Sequence, residues 1–170
     1  MKKFGARTVA ALGLLIALNV VLARFCSLNL WNLRIGLNFL PIALGALLYG
    51  PLAGGLVGAF GDLIGALLFP TGPYFPGFTV SALLTGLIYG WMLYRRREKI
   101  LPFALLAVAL DQWVVSFLLN TLWISVLYGS PYGTLLGIRA IQSAVLSPVH
   151  LAGLALIKKL QPRLERIARL

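Results

Sequence analysis

An all-α membrane protein, a compact bundle of six transmembrane helices with both termini cytoplasmic, is the fold class this sequence predicts. Three observations predict it. The 170 residues have a mean hydropathy of +0.92 and only 11% charged side chains, against about 25% in soluble domains. Six apolar stretches have lengths near the ~20 residues that cross a bilayer. Most basic residues flank those stretches and fall on one side of the bundle. A chain this short cannot hide so much apolar surface within itself, because small domains bury only part of what they expose. The excess faces lipid.

The first span runs from about Ala6 to Ala23, behind Lys2 and Lys3. That opening resembles a signal peptide, but no small-residue cleavage site is clear before Arg24, so it reads as a retained span. The second, Gly36 to Tyr49, is short. The third, Pro51 to Phe69, starts with proline at a favoured helix-opening position. The fourth covers Gly77 to Tyr94. The fifth, Pro102 to Tyr128, is longer than a crossing needs, so it is expected to tilt or to extend past the membrane. The sixth, Tyr132 to Ile157, contains Pro148, where a kink is expected. Residues 158–170 form a basic cytoplasmic tail, read as an amphipathic helix lying on the surface. The chain 1–170 reads as a single membrane-embedded domain.

The net charge of +11 is not a nucleic-acid signature. The basic clusters are Lys2, Lys3 and Arg7; Arg95, Arg96, Arg97 and Lys99; and Lys158, Lys159, Arg163, Arg166 and Arg169. All flank apolar segments, the pattern of topology signals and contacts with anionic membrane lipid. With both ends inside, only Arg24, Arg34 and Arg139 lie outside. The single cysteine, Cys26, permits no internal disulfide and no cysteine-rich metal site. The inner link Tyr49-Gly50-Pro51 is a tight turn. The outer connections, Arg24 to Ile35, Pro70 to Pro76 and Tyr128 to Ile138, carry aromatics, glycines and prolines. A binding site is expected among such loops at one mouth of a bundle.

Arginine near a membrane is costly unless solvated or paired. Arg24 ends the first span and Arg139 begins the sixth. Each either snorkels to the interface or helps to capture an anion, since a guanidinium meets a carboxylate in bidentate fashion. Asp62, in the outer half of the third span, either pairs with a mouth arginine or accepts hydrogen bonds from a ligand's N–H groups. Asp111 reads as structural, facing the Arg95–Lys99 cluster. Polar stripes at helical spacing point inward: Trp113, Ser116, Asn120, Trp123 and Leu127; Arg139, Gln142, Ser143, Leu146 and His150; Phe78, Ser81, Thr85 and Tyr89. Three such stripes at one mouth predict a small-molecule pocket. Tyr74 and Phe75, in a loop rich in proline and glycine, either cap a planar ligand or belong to an interfacial aromatic belt.

Small residues mark faces where helices can touch in lipid. The third span carries Gly54, Gly58, Gly61 and Gly65, and the fourth Ala82, Gly86 and Gly90. The row Ala6, Ala10, Gly13 and Ala17 on the first span can dock another membrane subunit. Catalysis has no footing: Ser147 and His150 belong to no nucleophile elbow, no metal-binding histidine pair exists, and no phosphate-binding loop is present. The sequence predicts neither an enzyme nor a cofactor or metal.

Several stretches resemble the substrate-binding S components of energy-coupling factor (ECF) transporters, specifically the folate type. They are Leu22-Ala23-Arg24-Phe25, Phe39-Leu40-Pro41-Ile42, Gly50-Pro51, Asp62-Leu63-Ile64-Gly65, Gly86-Leu87-Ile88-Tyr89-Gly90 and Asn120-Thr121-Leu122-Trp123, followed by Leu127-Tyr128-Gly129. The most specific is Gly72-Pro73-Tyr74-Phe75-Pro76-Gly77-Phe78-Thr79. The resemblance implies a six-helix vitamin-binding protein of the bacterial cell membrane. It works with a transmembrane coupling subunit and two cytoplasmic ATPases, and it topples to carry its vitamin inward. It also implies docking through a small-xxx-small pair on the first helix, either Ala6 and Ala10 or Gly13 and Ala17. Folate fits the residues: Phe78 and Trp123 would sandwich its rings under Tyr74 and Phe75. Asn120, Gln142 or Asp62 would read the pterin edge, and Arg24 and Arg139 would meet its carboxylates. The alternative is an S component for another vitamin or small heteroaromatic compound. No ligand role falls to His150.

Overall fold

The computed structural model describes residues 5–30, 33–96 and 100–169, with side chains described for 5–27, 36–96 and 101–160. Lys2, Lys3, Arg97 and Lys99 lie outside the described residues, as do the side chains of Arg34, Arg163, Arg166 and Arg169. Helix α1 (Ala6–Arg24) leads into an antiparallel hairpin of β1 (Leu28–Leu30) and β2 (Leu33–Ile35), with Leu28 opposite Ile35. Then come α2 (Phe39–Tyr49), α3 (Pro51–Leu68) and α4 (Pro76–Leu93). Helix α5 (Ile100–Ala109), a π-helical stretch (Leu110–Leu119) and α6 (Asn120–Tyr128) run on as one span, and α7 (Tyr132–Arg169) follows. Among the described residues, five helices are long and apolar enough to cross a membrane, and α2, at 11 residues, is the short sixth.

Three local features differ from the sequence reading. The first outer connection holds the hairpin. The third is only residues 129–131, because Gly129 ends α6 in the left-handed region (φ 63°) and α7 opens at Tyr132. Helix α7 passes through Pro148 and Lys158 without a break, so the basic tail continues the last span. Neighbouring groups in a membrane bundle compensate for a proline's missing donor.

The glycine rows do what small residues allow in lipid. A Cβ built on Gly86 would stand 2.2 Å from the backbone of Gly54, and one on Gly58 would stand 2.2 Å from the carbonyl oxygen of Ala82. Helices α3 and α4 therefore meet backbone to backbone. Asn19 ties α1 to α3 by donating to the Val57 carbonyl (3.1 Å). The short α2 is buried along most of its length, from Phe39 to Leu47. Large apolar side chains such as Leu14, Leu52, Leu67, Trp91 and Ile141 remain exposed, as a lipid-facing surface requires.

The π-helical stretch changes the phase of the fifth span. Its i→i+5 bonding takes more residues per turn than the 3.6 of an α-helix. Asp111, Gln112 and Val115 turn inward, while Trp113, Val114 and Leu118 turn outward. The inward stripe predicted from Trp113 is therefore corrected: Trp113 is 44% exposed, although Ser116, Asn120 and Leu127 from the same stripe do face the interior cavity. Side chains support the loosened ladder. Ser143 donates to the Gln112 carbonyl (3.0 Å) and Thr121 to the Phe117 carbonyl.

Candidate ligand-binding site

A cavity of about 340 Å³ lies between α2, α3, α4, the π stretch, α6 and α7, beneath the loop 69–75. Small-molecule sites run from about 300 to 1,000 Å³. Of the nine predicted substrate-binding residues, eight line it: Arg24, Asp62, Tyr74, Phe75, Phe78, Asn120, Arg139 and Gln142. The ninth, Trp123, does not. Its ring packs tilted against Phe75 (centroids 5.7 Å apart) and its Nε1 donates to Ser81 (3.0 Å). Trp123 backs the wall that Phe75 and Ser81 present.

Arg24 ends α1 at the mouth, where its Nη1 donates to the Thr71 hydroxyl (2.7 Å). Gly65 makes room: a Cβ there would stand 2.9 Å from the Arg24 Nε. Asp62 accepts from the Thr79 hydroxyl (2.8 Å), which in turn meets the Tyr74 hydroxyl (3.2 Å). The Asp62 carboxylate also attracts the Arg24 guanidinium. The mouth is thus a small polar network tying α1, α3, α4 and the loop together. Deeper in, Arg139 donates from Nη1 to Gln142 Oε1 (3.1 Å) one turn further along α7. Phe39, Phe75 and Phe78 supply aromatic wall.

The floor carries residues to which sequence reasoning gave no ligand role. Asp111 does not turn toward the α4–α5 connection. It accepts from Thr85 (2.7 Å, to Oδ1), Tyr89 (3.0 Å, to Oδ2) and Gln112 (3.1 Å, to Oδ2), and its Oδ2 lies 3.4 Å from His150 Nδ1. The expected pairing with the Arg95–Lys99 cluster is corrected, because Asp111, in the first turn of the π stretch, is turned inward to these partners. His150 stacks on Phe39 (centroids 3.8 Å, 16°) and meets the Tyr89 hydroxyl at 2.9 Å. Phe39, Thr85, Asp111, Gln112 and His150 all line the cavity. The available signal was the pair of inward stripes carrying Thr85 with Tyr89 and His150. What was missing was the π phase that brings Asp111 and Gln112 to meet them.

Four buried polar atoms in the described residues have no hydrogen-bond partner: Arg24 Nε, Gln112 Oε1, Asn120 Oδ1 and Arg139 Nε. All four belong to cavity-lining residues. An unsatisfied buried donor or acceptor costs about 1–3 kcal/mol. Their concentration on one cavity marks a place prepared for a polar ligand. Elsewhere, Ala6, Ala10, Gly13 and Ala17 lie on an exposed face of α1, with open space beside Gly13. Ser147 donates to the Ser143 carbonyl (2.6 Å) while His150 is held by the floor network.

Residues 3–160 match the family described as ECF-type riboflavin transporter, S component. The chain is 36% identical over 151 residues to a folate transporter FolT of Clostridium novyi (strain NT), an alignment covering 89% of this chain and 87% of that one. It is 31% identical over 126 residues to a folate transporter FolT of Leuconostoc mesenteroides, covering 74% and 68%. Among solved structures, FolT bound with folic acid matches with a TM-score of 0.86 at 32% identity, covering 91% of this chain and 94% of that chain.

Proposed function

Because this chain belongs to the S components of ECF-type transporters, we propose that its cavity binds folate for uptake, delivered inward with a transmembrane coupling subunit and two cytoplasmic ATPases. The chain is a multi-pass protein of the bacterial cell membrane. The observation that carries the folate reading is the set of unpartnered polar atoms on one aromatic-walled cavity, two of them on arginines. Folate offers a flat pterin with N–H donors, an aromatic linker and a glutamate with two carboxylates. Arg24 and Arg139 suit the carboxylates, Phe75 and Phe78 the rings, and Asn120, Gln142 and Asp62 the polar edges, with Tyr74 over the mouth. Riboflavin, for which the matched family is described, has no carboxylate and would leave two cavity arginines without an anion. The names of the two relatives and of the solved structure point the same way.

The exposed row on α1 supports docking of the coupling subunit, since small residues let a partner helix come close. Arg95 and Arg96 follow the end of α4, and Lys158 and Lys159 lie toward the end of the last span away from the mouth, which supports cytoplasmic termini and an outward-facing mouth.

Calorimetric titration of the purified protein with folate, thiamine and riboflavin tests the reading. Folate should bind. Arg139→Gln should weaken it by about 10- to 100-fold, the worth of a hydrogen bond to a charged group, and Arg24→Gln by less, since Arg24 is more exposed. Unchanged affinity in both variants would remove the carboxylate assignment. Binding of another vitamin in place of folate would favour the alternative, an S component for another small heteroaromatic compound.

A further inference from the structure

The end of α4 away from the mouth carries two cations that the cavity does not use. The helix closes there with a tight turn over residues 93–96. Tyr94 (φ −63°, ψ 129°) and Arg95 (φ 63°) follow Leu93, and the Arg96 N–H returns to the Leu93 carbonyl (3.3 Å). These are the marks of a type II turn, whose third residue is usually glycine because it stands in the left-handed region. Here that residue is Arg95, the only non-glycine with positive φ among the described residues. A side chain thus stands where the backbone favours none. The turn sets two consecutive arginines at the helix end, both exposed.

Both guanidiniums are seated on aromatic rings. Arg95 Cζ lies 5.8 Å from the centroid of the Tyr94 ring, and Arg96 Cζ lies 3.8 Å from that of Phe103 on the next span. The Tyr94 ring is itself placed by the α2–α3 turn, 3.6 Å from a Cβ built on Gly50. Close by, a Cβ on Gly90 would stand 2.2 Å from the Pro51 backbone, so this end of α4 is pinned to the start of α3. Asp62 and Asp111, the carboxylates whose side chains are described, both line the cavity, so neither neutralises this pair. Two placed guanidiniums without a carboxylate partner suit a phosphate, which accepts paired N–H donors from a planar fork.

The surroundings decide whose phosphate. Trp91, one turn before the arginines, is exposed, as are Leu101 and Leu105 on the span that carries Phe103. Exposed tryptophan near a span end sits at headgroup depth. The arginines that follow it therefore stand at the level of lipid phosphates, with apolar surface nearby for acyl chains. A free phosphate gains nothing from that surface, and a zwitterionic lipid brings a cation of its own to two cations. We propose that Arg95 and Arg96, held on Tyr94 and Phe103, form a binding site for the phosphate of an anionic phospholipid. The site lies outside the cavity and stands whether or not the cavity takes folate.

Native mass spectrometry of the purified full chain in detergent tests this, with dioleoyl phosphatidylglycerol and dioleoyl phosphatidylcholine as probes at equal concentration. The wild type should retain phosphatidylglycerol about tenfold more than phosphatidylcholine. Arg96→Gln should weaken that retention by about fivefold, and Arg95→Gly combined with Arg96→Gln by about 25-fold. Arg95→Gly gives the turn its favoured residue, so it should melt no lower than the wild type while binding the lipid less. Phe103→Leu keeps every charge and should still weaken retention by about two- to fivefold, because the Arg96 guanidinium loses its seat. Lys158→Gln combined with Lys159→Gln removes the same charge from the same end of the bundle and should weaken it far less. Equal losses from the lysine and arginine pairs would mean a diffuse basic surface and overturn the site. So would equal retention of the two lipids. Displacement of phosphatidylglycerol by an equal concentration of inorganic phosphate would overturn the lipid as occupant.

Discussion

The two halves of the molecule are held together by different means. In α1 to α4, regular α-helices meet through glycine rows, and a Cβ on Gly86 or Gly58 would come within 2.2 Å of facing backbone. The last two spans use other means. Gly133 and Gly137 on α7 have nothing within 4 Å of a built Cβ, while one on Gly153 would stand 2.6 Å from the Phe39 ring, and the helix before α7 runs through ten π-helical residues. The first half is a slab whose α3–α4 contact is set by absent side chains. The second half presents polar side chains to a cavity, with a helical phase set by the loosened ladder. Both halves line the cavity, with Arg24, Phe39, Asp62, Phe78 and Thr85 among the residues that the slab supplies.

The largest effect should separate these halves directly. Gly86→Val would drive two methyls into the Gly54 backbone, which has no flexible end to move aside. Overpacking a core costs about 1–3 kcal/mol and sometimes more, and a backbone clash belongs to the upper end. The variant should fail to accumulate as folded protein in the membrane fraction. Gly137→Ala should accumulate normally, with thermal stability in detergent changed by less than about 1 kcal/mol. Equal behaviour of the two would mean that the α3–α4 contact is not what holds the slab.

The slab was largely legible in the sequence. Its helix ends, the proline opening of α3 and the glycine rows all follow from length, hydropathy and a 3.6-residue period. The mouth was legible too, because Arg24 and Asp62 are conspicuous charges at span ends. The floor was not. Its network joins residues on three spans, with Tyr89 and His150 separated by 61 positions, and no local pattern announces that. A π stretch also leaves no mark in composition, so an α period carried through 110–119 aimed Trp113 inward, and Asp111 was expected to face the Arg95–Lys99 cluster rather than Thr85 and Tyr89. Phe39 was hidden within an apolar helix that reads as core alone.

That phase can be broken on purpose. Val114 lies in the middle of the π stretch and is 43% exposed. Deleting it shortens the span by one residue while the rest of the ladder is kept. Residues before the deletion then turn by about 100° relative to Asn120, which swings Asp111 and Gln112 away from the floor. The expected outcome is a folded protein that has lost folate binding by more than about 100-fold, measured by titration alongside a thermal melt. Unaltered binding would mean that the π stretch does not set the floor.

The smallest effect reports on the same phase without disturbing it. Two tryptophans of the fifth span stand one within the π stretch and one beyond it. Trp123 packs against Phe75 and bonds Ser81, both cavity-lining, whereas Trp113 is exposed beside Phe117. Trp91, at 77% exposed, also faces away, and Trp31 lies outside the described residues. A pterin in the cavity should therefore quench Trp123 through its short distance and leave Trp113 nearly untouched. Trp113→Phe should keep the folate-dependent fall in emission. Trp123→Phe should remove most of it while changing affinity by at most about tenfold, since a single neutral hydrogen bond contributes about 0.5–1.5 kcal/mol. A signal carried by Trp113 instead would place that ring at the cavity, restore the α period through 110–119, and undo the phase shift on which the floor depends.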